Sequence, residues 1–166
     1  MPTVAARRLR RFAALTGVAL LTSCGSGSSA AQLESHGVRV HITYKSGALT
    51  ATFTPTQAGF HLYSKDLPEG GINGLGFPTR MQAARGITFS GPATANLAPI
   101  SLNIQSLGVT LPVYPDGPVT ITVPTQLAAA QPGAAQTATV LVSFAACSSS
   151  LCLPPVVNQA VTVSLH

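Results

Sequence analysis

The feature that most constrains this chain is a strict period-two alternation, interrupted again and again by residues that stop regular structure. Val38, Val40, Ile42 and Tyr44 fall on one side of the run Val38–Tyr44, with Arg39, His41 and Thr43 on the other. Successive side chains of a strand point to opposite faces, so this pattern predicts a half-buried β-strand. Ala48–Thr54 repeats it, with Leu49, Ala51 and Phe53 on the apolar side. Shorter strands are expected at 59–63, 86–90, 100–104 and 119–123. A longer, more apolar one is expected at 137–146, as for a central strand, and 156–165 closes the chain. Clusters of Pro, Gly, Asn and Asp separate these runs, and Pro115-Asp116-Gly117-Pro118 is the clearest turn signal. The Ala-rich stretch 126–135 is broken by Pro132-Gly133 and reads as a loop with one helical turn at most. The stretch 65–85, rich in Gly and containing Pro68 and Pro78, reads as an irregular insertion of the kind that often carries function. Short strands in a Pro- and Gly-rich chain specify an all-β fold, an antiparallel β-sandwich.

The N-terminus bears on compartment. Arg7, Arg8, Arg10 and Arg11 precede an apolar stretch, 12–22, too short to span a bilayer. It ends in Leu21-Thr22-Ser23-Cys24, which resembles the bacterial lipoprotein signal. Cleavage before Cys24 would leave its thiol to carry diacylglycerol, with a further acyl chain, such as palmitate, on the new amino terminus. Several acyl chains anchor stably where one holds only marginally. The expected organisation is a signal peptide over 1–23, a lipidated Gly/Ser tether over 24–32 and one domain over 33–166. The expected location is the cell envelope, on the extracytoplasmic side.

This assignment changes what the composition means. The formal charge of +5 includes four signal arginines. Without them, Arg39, Lys45, Lys65, Arg80 and Arg85 stand against Glu34, Asp66, Glu69 and Asp116, a near balance that gives no reason to expect a nucleic-acid partner. With Cys24 assigned to lipid, Cys147 and Cys152 are the one remaining thiol pair, in a compartment that permits disulfides.

That pair stands in Cys147-Ser-Ser-Ser-Leu-Cys152-Leu-Pro154-Pro155. If the strands on either side are hairpin neighbours, Ser148–Leu151 is the connection and the cysteines face each other. Directly opposed antiparallel residues have Cα atoms about 4.5–5.5 Å apart, within the reach of a disulfide. So small a ring removes little unfolded-chain entropy, which weakens a purely structural role without removing it. Pro154 and Pro155 stiffen the exit and supply no backbone N–H, which favours an edge or loop position open to a partner. A local disulfide that pins a hairpin and a redox-active pair both remain open on spacing alone. Zinc would need two more ligands, and His36, His41, His61 and His166 show no ligand spacing. A blue-type copper site would need a compact His/Cys/Met group, and Met81 is the one methionine after the signal. No metal or other cofactor is expected. No Lys, Arg or His lies between the cysteines to stabilise a thiolate, so any tuning must come from elsewhere in the fold.

The segment from Phe144 to Pro155 resembles the active-site segment of the N-terminal periplasmic domain of the thiol:disulfide interchange protein DsbD. It has a strand, a cysteine, a short spacer, a second cysteine and a proline pair one residue on. Gly59-Phe60-His61-Leu62-Tyr63-Ser64 resembles that family's Gly-aromatic-x-Leu-Tyr strand, and Leu67-Pro68-Glu69-Gly70-Gly71 continues it. The resemblance implies an immunoglobulin-like sandwich that relays reducing equivalents by thiol–disulfide exchange. Thioredoxin-like redox proteins would serve as donor or acceptor. Carried over, Cys152 is the attacking thiol, Cys147 the resolving one, and Tyr63 lies beside them. The activity implied is of the disulfide-reductase type; the competing expectation is an envelope lipoprotein serving as a binding or structural module, with a stable Cys147–Cys152 bond.

Three departures stand out. The spacer holds four residues where the best-known member of that family has five. The counterpart of the family's aromatic cap loop, Gln105-Ser106-Leu107-Gly108, has no aromatic residue, which leaves Phe77 as a candidate shield. The family's electron-conducting transmembrane and thioredoxin-like domains have no counterpart in this sequence, so a separate donor is expected.

Overall fold

A computed structural model describes residues 30–129 and 136–165. The alternation predicted in the sequence becomes two facing antiparallel sheets. The first has the order β1 (Ala30–Ser35), β2 (Val38–Lys45), β3 (Ala48–Pro55), β10 (Val119–Leu127) and β6 (Ile87–Phe89), with β7 (Thr94–Ala95) also on β10. The second has the order β13 (Val156–Ser164), β11 (Thr137–Phe144) and β5 (Arg80–Arg85). Strand β1 lies against β13 and β5 against β6, so the sandwich closes along both rims.

The hairpins β1–β2 and β2–β3 turn at His36-Gly37 and Ser46-Gly47, where all four residues have positive φ. Two-residue loops of this handedness match the twist of the flanking strands, and glycine takes the second position without steric cost. The turns set the register that puts Val38, Val40, Ile42, Leu49, Ala51 and Phe53 inside, each fully buried. Val140, Val142, Phe144 and Val163 of the second sheet complete the core, and the Phe53 and Phe144 rings meet edge to face at 5.8 Å. On the outer face of β3 and β10, Thr50–Thr122 and Thr52–Thr120 form cross-strand hydroxyl pairs at 3.2 and 2.9 Å.

Several expectations shift at their edges. Ala30–Gln32, assigned to the tether, belong to β1 and pair with Thr43–His41. Ala31 and Leu33 pack against the core, which ties this stretch to the sheet. The insertion expected over 65–85 ends in strand β5, whose Met81 and Ala83 touch the core from an edge position. Strand β9 (Val109–Val113) was hidden by Pro112, although Val109, Leu111 and Val113 alternate and are buried. The stretch 126–135 begins as the end of β10, and 130–135 lie outside the described residues. The signal peptide, Cys24 and the rest of the tether also lie outside them. No helix among the described residues is long and apolar enough to cross a membrane.

Two small ladders finish one end of the sandwich. Strand β4 (His61–Leu62) pairs with β12 (Ala146–Cys147), and β8 (Ile100–Ile104) pairs with β9. The long strand expected over 137–146 therefore divides at Ala145. Strand β11 stays in the sandwich, and β12 crosses to β4, where Ala145 and Cys147 join a second apolar cluster with Tyr63, Leu67, Leu111 and Val113.

Candidate redox site

Cys147 and Cys152 face each other as an antiparallel bridge and are joined by a disulfide, with Cα atoms 4.0 Å apart. That is slightly closer than the 4.5 Å typical of directly opposed residues between hydrogen-bonded pairs. The pairs on either side are hydrogen-bonded: Ser148 N donates to Leu151 O at 2.7 Å, and Leu153 N to Ala146 O at 2.9 Å. The Ser148 hydroxyl also accepts from the amides of Ser150 and Leu151, at 3.3 and 3.1 Å. Backbone and serine bonds thus close the same turn that the disulfide spans.

The two sulfurs have unlike surroundings. Cys147 is 3% exposed and belongs to the second apolar cluster, whereas Cys152 is exposed. The Tyr63 hydroxyl donates to Cys147 Sγ at 3.1 Å and lies 4.0 Å from Cys152 Sγ. Burial pushes the Tyr63 phenol above its usual value of 10.0, so at neutral pH it keeps the proton it donates.

Tyr63 is held from several sides. Ser64 N donates to Pro112 O and Tyr114 N to Leu62 O, which sews the end of β4 to β9. Lys65 N donates to the Tyr114 hydroxyl at 3.1 Å, and the Arg80 guanidinium donates to the carbonyls of Lys65 and Leu67. Gly76, with φ of 81°, lies against the Tyr63 ring: a Cβ there would stand 3.0 Å from two ring carbons and 2.8 Å from Leu67 Cδ2. Glycine suits this approach, because the conformation is strained for other residues and a Cβ would press on both neighbours.

The disulfide lies between two hollows. One, of about 380 Å³, is lined by His61, Tyr63, Leu102, Ile104 and the Cys147–Cys152 turn. The other, of about 250 Å³, is lined by Tyr63, Gly76, Phe77, Leu153 and Pro155 as well as both cysteines. Phe77 thus flanks the pair, as the sequence suggested. Gln105–Gly108 does not line the first hollow: it forms a 3-10 turn at the tip of the β8–β9 hairpin, with Leu107 57% exposed. Leu102 and Ile104 of β8 stand there instead. Pro154 and Pro155 are exposed; the Pro154 carbonyl lies 2.9 Å from His36 Nδ1, which donates to it when that nitrogen is protonated.

His61 is the residue the sequence reading weighed only as a metal ligand. It pairs directly with Cys147 across the β4–β12 ladder and lines the larger hollow. Its ring meets that of Tyr63 edge on at 5.9 Å. Burial lowers its pKa below 6.5, partly opposed by the negative charge of Asp116. The signal was its place two residues before Tyr63, on the same face of one strand. Among the described residues, no group of three or more His, Cys, Asp or Glu side chains is arranged to hold a metal ion.

No family model and no curated protein matches the sequence. Among solved structures, the chain is similar to the Neisseria meningitidis DsbD N-terminal domain, crystallised in the reduced form. The TM-score is 0.50 and the identity 11%, over 78% of this chain and 84% of that one. The fold is that of a DsbD N-terminal domain. At this identity the likeness establishes an immunoglobulin-like sandwich; what the DsbD-like fold does in this chain has to be argued from its own cysteines and their neighbours.

Proposed function

We propose that this protein is an extracytoplasmic thiol:disulfide exchange module that relays reducing equivalents through the Cys147–Cys152 pair. The observation that carries the proposal is the asymmetry of the pair: an exposed Cys152 beside a buried, tyrosine-contacted Cys147. Exchange proceeds by thiolate attack on a disulfide through a mixed disulfide, so it needs one accessible sulfur and a second held close behind it. Cys152 is the attacking thiol and Cys147 the resolving one. Reduced, the pair transfers two electrons: the partner's disulfide opens to two thiols and the Cys147–Cys152 bond forms. Thioredoxin-like proteins fit as donor or acceptor, and lipid on Cys24, with a tether now ending before Ala30, would hold the module at the membrane surface. The competing reading, a scaffold with a permanent disulfide, loses support because backbone bonds already close the turn.

Equilibrating the protein in redox buffers tests the proposal. A potential in the range of known exchange proteins, about −120 to −270 mV, is the expected result; a bond that stays closed well below about −300 mV would sink it. Trapping tests the roles: C147S should accumulate a mixed disulfide through Cys152, and C152S far less. Equal trapping by both would overturn the assignment.

A further inference from the structure

Two buried side-chain polar atoms among the described residues lack a hydrogen-bond partner, Thr79 Oγ1 and His61 Nε2, and the second belongs to the lining of the redox site. His61 Nε2 is buried and makes no hydrogen bond, although an unpaired buried polar group costs on the order of a hydrogen bond's desolvation. The ring stands beside Cys147: the two residues are direct partners in the β4–β12 ladder, so their side chains leave the same face with Cβ atoms about 5 Å apart. An oxidised Cys147 has no proton to offer. A reduced Cys147 does, and the His61 ring, its partner across the ladder, carries a nitrogen with no other hydrogen bond.

We propose that His61 accepts the proton of the Cys147 thiol when Cys147 resolves a mixed disulfide held on Cys152. The proposal rests on the exchange reading above and adds a residue to it. Cys152 thiolate first attacks a partner disulfide, bonding to one partner sulfur and expelling the other as a thiolate, which takes a proton from solvent. Cys147 then passes its proton to His61 Nε2, and the resulting thiolate attacks Cys152 Sγ. The Cys147–Cys152 bond forms, the bond from Cys152 to the partner breaks, and the second partner sulfur leaves as a thiolate that takes the proton from His61. The sum is one dithiol and one disulfide exchanged for one disulfide and two thiols.

The surroundings suit this role. The Tyr63 hydroxyl donates to Cys147 Sγ, so it stabilises the thiolate but does not receive its proton. The β8 residues facing His61, Leu102, Asn103 and Ile104, carry no titratable group, and the Ser148–Leu151 turn carries none either. No lysine or arginine lines this hollow. The remaining charged group is Asp116, whose field favours the imidazolium that forms in the step. Burial keeps the imidazole neutral at pH 7, the form that can accept a proton. A buried thiol such as Cys147 otherwise ionises less readily than a free one, so resolution is the step that needs help.

The test separates attack from resolution. The protein is reduced, freed of reductant and mixed with oxidised glutathione, and acid-quenched samples are weighed by mass spectrometry for dithiol, glutathione adduct and disulfide. C147S supplies the adduct that cannot resolve. In H61F and H61N the adduct should form within about twofold of the wild-type rate but persist on the order of tenfold longer at pH 7. Wild-type resolution should be nearly flat from pH 6.5 to 8; in the variants it should rise about tenfold per pH unit, as thiolate fraction does below a thiol's pKa. If H61F does not fold, H61N carries the test. Wild-type decay and wild-type pH slope in a folded variant would overturn the role of His61. That result leaves the exchange reading standing, because the reading is tested by the potential of the pair, not by adduct decay.

Discussion

The two apolar clusters of this molecule are built in opposite ways. The main one lies between regular sheets, and its aliphatic and aromatic side chains come from strands whose register is fixed by short hairpins. The smaller one, at the cysteine end, draws on Tyr63 just after β4, on β8, β9 and β12 and on the irregular stretch 65–79, and it includes the Cys147 sulfur. Besides the two small ladders, Arg80 donates to the Lys65 and Leu67 carbonyls and Lys65 N to the Tyr114 hydroxyl. The regular core is therefore expected to carry most of the stability, and the proposed chemistry lies in the second cluster. A site that must open and reclose a covalent bond is best placed where that bond contributes least to the fold.

Substitutions should divide along this line. The largest effect is expected from F53A in the main core, which removes a fully buried ring packed on Phe144 and should cost about 3–5 kcal/mol in denaturant unfolding. A loss below about 1 kcal/mol would mean that the sandwich core is not the stabilising half. Reducing the disulfide comes next. For so short a loop the chain-entropy cost is about 2 kcal/mol, and the far-ultraviolet spectrum of the sandwich should be unchanged. Global unfolding on reduction would erase the division between the two clusters.

Y63F keeps the ring against Gly76 but removes the donor to Cys147 Sγ. A hydrogen bond that is stronger on the sulfur of reduced Cys147 than on the disulfide favours the reduced state, so its loss should make the pair more reducing by about 10–30 mV. A shift in the opposite direction would show that the bond favours the disulfide instead. The smallest effect concerns acid. The folded-state pKa of His61 lies below its unfolded value of 6.5, so the unfolded chain binds more protons as pH falls through and below that value. Stability is full above pH 6.5 and declines as pH falls through the folded pKa. H61F should flatten this acid limb in a series of denaturant titrations, and an unchanged limb would remove His61 as its source.

How far the sequence could be read follows the same division. Alternation made β2 and β3 legible almost residue for residue, and 100–104 matches β8. β1 was concealed because Ala30-Ala-Gln32 has the small, polar character of a tether, and its pairing depends on β2 folding back. β5 has charged ends and only Met81 and Ala83 to bury, since an edge strand shows the core one weak face. At the site, Cys147, Cys152 and Tyr63 were found from their motifs, whereas His61 had no motif. Its meaning depends on the register between β4 and β12, which pairs residues 86 positions apart (147 less 61).

The sequence by itself determined the all-β class, the inward faces of β2 and β3 and the thiol pair, because period and cysteine spacing are local quantities. Only the tertiary structure decided which sulfur is buried, which hydroxyl touches it and which imidazole stands opposite. Those relations arise where separate segments meet, and burial and field at such a junction are properties of all of them together.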